Sequence, residues 1–319
     1  MKSKKTNLFF IVISVILLLG AGIFFYSRNK ENKSIPIAMA LDDNYVYPTV
    51  VAIGSAMENK NEETEYSFYL MHPNEFKEES KEKIKSLEKK YDKCHINLIN
   101  MGEQFKTAND KGHITTPTYY RLALSELLVN LDKIIWLDGD TLTLQDLKQM
   151  YDIDMEGLYY RGFLDDNING TSSFGVESDH YICAGVMLIN LKELRENNMA
   201  NRFNSFIEEN NSKLVQHDQT VINVVCADKI GILPPKFGMF NIIATKELSE
   251  SYADGLIAEN KYTHEDMANA LNDLCILHCI AKPWNSPQVN LGSLWWDYAS
   301  KTDFYNEIKE TYHAMWLVV

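Results

Sequence analysis

Asp138-Gly139-Asp140 directly follows the apolar run Lys133–Leu137 (KIIWL). Two carboxylates one residue apart are the groups and spacing that hold a hard divalent cation. In an extended strand neighbouring residues alternate faces and residues two apart share one, so both carboxylates address the same space. Gly139 between them leaves room for a ligand to come close. Asp-x-Asp also occurs in turns, where the acids cap helices. Its place at the end of a buried strand is what gives it chemical weight, because open α/β sheets bind ligands beyond the carboxyl ends of their strands.

The elements that must carry this pair can be read from the apolar pattern. Residues 35–41 (IPIAMAL) form a short, nearly continuous apolar run ending at Asp42, as expected of a strand buried on both faces. Pro48 suits the first turn of a following helix, whose stripe is Val50, Val51, Ile53, Gly54 and Met57. Further strands are expected at residues 66–71, 96–101, 133–137, 157–164 and 185–191. Helices are expected at 74–92, where Glu and Lys alternate at helical spacing, at 116–130 behind Pro117, at 218–227 and at the C-terminal end. Strand alternating with helix implies an α/β fold with a parallel, right-handed βαβ sheet.

The chain of 319 residues carries 31 basic and 44 acidic side chains, a net charge of −13. Before residue 35 stand Lys2, Lys4, Lys5, Arg28, Lys30 and Lys33 against Glu31 alone, so the rest holds 25 basic and 43 acidic residues, a net of −18. Such a body repels phosphate backbones, and nucleic acid is not an expected partner. Five cysteines without a CxxC pair or zinc-like His spacing are expected to be buried apolar thiols. Residues 8–26 (LFFIVISVILLLGAGIFFY) have no charge and nearly the length of a bilayer core, which predicts a single-pass N-terminal membrane anchor. The division expected is therefore an anchor and linker over residues 1–34 and one folded body over 35–319. Lysine and arginine flank the apolar run on both sides, so the side of the membrane stays open: the cytosol in a bacterial cell, the Golgi lumen in a eukaryotic one.

Several segments together carry a family resemblance. LDDNYVYPTVVAIGSAMEN (41–59), TTPTYYRLALSELL (115–128) and KIIWLDGDTL (133–142) are followed by CAGVMLINLKELRE, HDQTVIN and ILHCIAKPWN. In this order they resemble glycosyltransferase family 8, a retaining, metal-dependent class with the Rossmann-like GT-A fold, over about residues 35–310. The resemblance implies that a hexose moves from a UDP-sugar to a saccharide or lipid-linked acceptor. It implies that Asp42, Asn44 and Tyr45 hold the uridine, with the Tyr45 ring on the base, and that Arg121 meets the diphosphate or sugar. Asp138, Asp140 and His278 would ligate Mn²⁺ or Mg²⁺, the imidazole favouring Mn²⁺, and Lys282 would add a point charge to the phosphates. Asp165 would bind sugar hydroxyls, with Asp218 and Gln219 beneath the anomeric carbon. Residue by residue, Arg121 would otherwise be a surface ion pair and Asp218 a helix N-cap.

The chain departs from the family at two places. Cys183 stands where the family usually has Asn before Ala-Gly, which removes a hydrogen bond to the donor sugar. His278 and Lys282 are four positions apart where six with an intervening Gly are usual, which shortens the loop over the phosphates and puts the reach of both residues in question. Both departures leave open a GT-A-like nucleotide-sugar binding protein without turnover. A haloacid-dehalogenase-type phosphatase also places Asp-x-Asp after an apolar strand, but with Thr or Val two positions on, where this chain has Leu142.

Overall fold

Strand β1 (Ser34–Ala40) is buried along almost its whole length, as its unbroken apolar sequence requires. In the computed structural model it lies near the middle of a seven-stranded sheet with β2 (Glu65–His72), β3 (Cys94–Asn100), β4 (Lys133–Leu137), β6 (Tyr160–Leu164), β7 (Ile182–Asn190) and β8 (Ile230–Ile232), in the order β3-β2-β1-β4-β7-β6-β8. The structure describes residues 34–102, 116–166, 169–176, 180–256, 258 and 260–316. Every candidate site residue belongs to the unit Ile35–Val319.

β1 pairs parallel with β4 (Ile37 opposite Ile135), β2 with β3 and β6 with β8. The sheet is thus mostly parallel, with flanking helices. The exception is β7, which runs antiparallel to both β4 and β6. Between β6 and β7 the described chain contains only the four-residue helix Asn169–Ser172, too little to carry the chain back across a sheet face as a parallel crossover requires.

The helix Val46–Asn59 buries Val50, Val51, Ile53 and Met57 along with most of its other side chains. Helix Glu78–Lys90 buries only Ser80, Ile84 and Leu87, one narrow stripe, and places Glu78 and Glu79 in its first turn and Lys89 and Lys90 in its last, where they complement the helix dipole. The helix expected at 116–130 is instead a 3₁₀ segment, Thr116–Ala123, followed by one α-turn, Leu124–Leu127. In 3₁₀ winding residues three apart eclipse, and here the Arg121 side chain donates from Nε back to the Thr118 carbonyl at 3.1 Å, which holds the tighter turn.

A second sheet has no counterpart among the expected strands. β5 (Thr141–Thr143), β9 (Phe237–Phe240) and β10 (Ile276–His278) form three strands in the order β5-β10-β9, with β5 and β10 antiparallel. Trp284, Trp295 and Tyr312 pack together beside it, so these C-terminal aromatics belong to the core. All five cysteines are buried free thiols.

The membrane assignment is corrected here. No helix among the described residues is long and apolar enough to cross a membrane, and the run 8–26, where an anchor is expected from sequence, lies outside them. A single-pass anchored localisation is accordingly not supported, nor is membrane attachment through such a helix.

The chain leaving β5 is tied back to β2 by one carboxylate. Asp146 accepts from the Asn61 and Lys148 amides at 2.8 Å, from Tyr66 Oη at 3.2 Å and from Thr64 Oγ1. Burial raises its pKa, and these donors outweigh that and leave it lowered. Asp146→Ala strands several donors in a site that is 9% exposed and should cost about 2–4 kcal/mol of stability in urea unfolding at pH 7; a loss below about 0.5 kcal/mol would show that water replaces the carboxylate.

Candidate active site

At the end of β4 the Asp138 amide donates to the Gly185 carbonyl at 2.8 Å, which fixes the start of the Asp-Gly-Asp turn against β7. Trp136, two residues earlier, donates from Nε1 to Asp138 Oδ1 at 2.8 Å. The turn leads into β5, whose Thr141 lies opposite His278 of β10, while the Cys279 amide donates to the Asp140 carbonyl at 2.9 Å. The second sheet thus brings Asp140 and His278, distant in sequence, to one place. Asp138, Asp140 and His278 offer one ligand atom each, all within 4.8 Å of one another.

This donor set fits a divalent cation. Asp140 is 4% exposed, yet its Oδ1 accepts no hydrogen bond and lies 3.3 Å from His278 Nε2. A buried carboxylate oxygen without a donor, beside a second carboxylate and an imidazole, is the chemistry of a metal centre. Lys282 Nζ pairs with the other oxygen, Oδ2. Burial raises the Asp140 pKa, but the Lys282 and His278 charges overcome it and hold the carboxyl well below the usual range. Burial lowers the His278 pKa, and Asp140 more than reverses that, to about 10. Gly185 makes room for the ring: a Cβ there would stand 2.2 Å from His278 Cε1.

A pocket of about 320 Å³ opens onto these carboxylates. Asp42, Tyr45, Arg121, Asp138, Asp140 and Lys282 all line it, together with Pro117, Thr118 and Trp136. Asp42 caps the turn after β1, accepting from the Asn44 and Tyr45 amides at 2.9 and 3.2 Å. Tyr45 stands edge-on to Trp284, with ring centroids 6.1 Å apart. Asn44 is exposed and is not among the lining residues.

Arg121 is buried, not the surface ion pair its residue type alone suggests. Its guanidinium lies 4.4 Å from the centre of the Trp136 ring, donates to Asp138 Oδ1 at 3.1 Å and to the Ala184 carbonyl, and sits 2.8 Å from Asp218 Oδ2. A guanidinium taken out of water needs this many acceptors. Asp218 is likewise not the N-cap, which is Gln216; it occupies the first turn of helix His217–Val225. Burial raises its pKa to about 7, Arg121 drawing it down and Asp138 pushing it up.

Gln219 and Asp165 form a second group. Gln219 Oε1 accepts from the Ala184 amide at 2.9 Å and its Nε2 donates to Asp165 Oδ2 at 3.2 Å. Neither lines the pocket with Tyr45 and Asp138. Cys183, one residue before Ala184, is buried and turned to His278, its Sγ 3.8 Å from Nδ1. Both His278 and Lys282 reach Asp140 across the shortened spacing. Trp136, Gly185 and Trp284 are site residues that sequence reasoning misses. Of these Trp136 carries a signal, a polar-tipped side chain two residues before Asp138 and so on the same strand face.

The family model for glycosyl transferase family 8 matches residues 36–288. The chain belongs to that family. A putative glycosyltransferase of Haemophilus influenzae is 25% identical over 295 residues, covering 87% of each chain. General stress protein A of Bacillus subtilis is 23% identical over 271 residues, 81% of this chain and 90% of its own. Among solved structures, the galactosyltransferase LgtC, crystallised with donor and acceptor sugar analogues, superposes with a TM-score of 0.72 at 22% identity over 84% of this chain and 96% of its own. That likeness establishes a GT-A fold for this family 8 glycosyltransferase. Family 8 membership also removes the phosphatase reading of Asp138.

Asp218 gives a pH signature. Its folded-state pKa, near 7, lies above the roughly 3.9 of an unperturbed Asp, so its contribution to stability is full below pH 4 and is lost as pH rises to about 7. Asp218→Asn, which cannot ionise, should gain stability relative to the wild type between pH 4.5 and 7.5 in urea unfolding. Parallel profiles for the two proteins would show that Asp218 is ionised throughout.

Proposed function

We propose that this glycosyltransferase moves a hexose from a UDP-sugar to a saccharide or lipid-linked acceptor, with retention of configuration and dependence on Mn²⁺ or Mg²⁺. The observation that carries the reading is the Asp138, Asp140 and His278 group, whose two carboxylates line the same pocket as Asp42 and Tyr45. Those three residues would hold the ion, and an imidazole among the ligands favours Mn²⁺. A bound divalent ion supplies Lewis-acid neutralisation of the charge that grows on the leaving nucleoside diphosphate.

The chain's own residues supply the rest. The Tyr45 ring would lie against the uracil, and Asp42 would accept from its polar edge, with Asn44 on the same turn. Lys282 places a positive charge beside Asp140, where phosphate oxygens would come. Arg121 keeps Asp138 oriented through its 3.1 Å hydrogen bond and itself lines the pocket. Asp165 would bind donor hydroxyls, and Asp218 would orient the sugar behind Arg121.

Retention requires either two displacements or transfer on one face. Gln219 is a poor nucleophile as an amide, and its oxygen already accepts the Ala184 N–H while its nitrogen holds Asp165. This favours front-face transfer: the bond from the anomeric carbon to the diphosphate oxygen breaks, the acceptor oxygen bonds to that carbon on the same side, and its proton passes to the departing phosphate. A binding protein without turnover is less favoured, since His278 and Lys282 both reach Asp140.

Calorimetric titration of the full chain with UDP and UDP-hexoses, with and without Mn²⁺, tests the reading. Binding should need Mn²⁺ and weaken at least about tenfold in Asp140→Ala. Binding that ignores both the ion and the substitution would sink the donor-site assignment.

A further inference from the structure

His278 has two ring nitrogens with different neighbours. Nε2 faces the buried Asp140 Oδ1 at 3.3 Å, and Nδ1 faces Cys183 Sγ at 3.8 Å. The same sulfur accepts the Gly185 amide N–H at 3.4 Å. Phe240 closes on the ring edge at 5.7 Å between centroids, and Gly185 lies against its Cε1 side. The imidazole is therefore packed on several sides, and the polar partner the structure gives its Nδ1 is a thiol sulfur.

A neutral imidazole carries one N–H and one lone pair. For Nε2 to turn its lone pair toward an ion shared with Asp138 and Asp140, the proton must be on Nδ1, and that N–H needs an acceptor. We propose that Cys183 is that acceptor: a positioning residue whose sulfur takes the His278 Nδ1–H, fixing the tautomer and ring angle that make Nε2 a ligand. The inference rests on the proposed metal site.

This changes what the substitution of Asn by Cys at position 183 does. Cys183 is 8% exposed and its sulfur is spent on His278 and the Gly185 amide, so its influence on the donor passes through the metal ligand and not through a sugar hydroxyl. Sulfur is a weak acceptor, so its removal should lie at the low end of the roughly 10- to 100-fold range found for partners of metal-bound histidines.

The experiment titrates Mn²⁺ alone, without nucleotide, into the full-length protein at pH 7.5 and reads free Mn²⁺ by electron paramagnetic resonance. Cys183→Ala should weaken Mn²⁺ binding about tenfold, and Cys183→Ser, which restores an acceptor in nearly the same place, should recover most of the loss. Cys94→Ala, a comparable truncation on edge strand β3 far along the sheet order from the site, should bind as the wild type does. Urea midpoints measured in parallel separate positioning from packing. If Cys183→Ala binds Mn²⁺ as tightly as the wild type, or if Ala and Ser lose affinity equally in step with their stability, the positioning role is overturned. A wild type that fails to bind Mn²⁺ overturns the metal reading itself, and this inference with it.

Discussion

The hydrogen bond from the Asp138 amide to the Gly185 carbonyl joins the end of β4 to the head of β7, and the geometry of the site depends on it. Residues 183–185 have almost every polar group assigned: the Cys183 sulfur to His278, the Ala184 amide to Gln219, the Ala184 carbonyl to Arg121 and the Gly185 carbonyl to Asp138. Three consecutive residues of one antiparallel strand thus set the positions of the His278 imidazole, the Gln219 amide, the central guanidinium and the first carboxylate. Gly185 has to be glycine for this, since any side chain there meets the His278 ring. A strand buried on both faces supplies the rigidity that such a junction needs.

Charge balance depends on the same junction. Arg121 stands between Asp138 and Asp218, and Lys282 and His278 stand on Asp140. Burial would make each of these charges costly alone. On the proposed function, with Asp218 un-ionised and His278 a neutral ligand, the two ligand carboxylates, one guanidinium, one ammonium and a divalent ion would sum to two positive charges. On the proposed function that surplus matches the diphosphate of a sugar nucleotide. The raised pKa of Asp218 fits this arithmetic, because a third carboxylate fully ionised behind Asp138 would consume part of it.

What can be read from sequence is what is long or chemically distinctive. β1 and β4 are legible because strands buried on both faces leave unbroken apolar runs, and Asp138 and Asp140 because they end one. β5 and β10 are three residues each and β9 four, too short to show a period, so the second sheet that carries His278 to Asp140 leaves no trace. The reversal of β7 is equally silent, since an apolar strand looks the same in either direction. At 116–130 the helical spacing is present, but Arg121 bonding back to Thr118 tightens the winding. The N-terminal apolar run meets a length criterion that the described residues do not support with any spanning helix.

The four-residue step from His278 to Lys282 is where family resemblance and structure part most usefully. A loop two residues shorter than usual has to be drawn tight, and Asn241, directly after β9, draws it: its Nδ2 donates to the Ala281 carbonyl at 2.9 Å and its Oδ1 accepts the Ala281 amide at 3.2 Å. Asn290 in turn donates to the Asn241 carbonyl at 2.9 Å, and the Asn285 and Ser286 amides both close on the Lys282 carbonyl at 3.1 Å. β9 pairs parallel with β10, so the clamp sits beside the strand that delivers His278. A buried amide bonded on both its oxygen and its nitrogen replaces the span a longer loop would provide. The loss of two residues is thus absorbed by a neighbouring strand, and His278 and Lys282 still converge on one carboxylate.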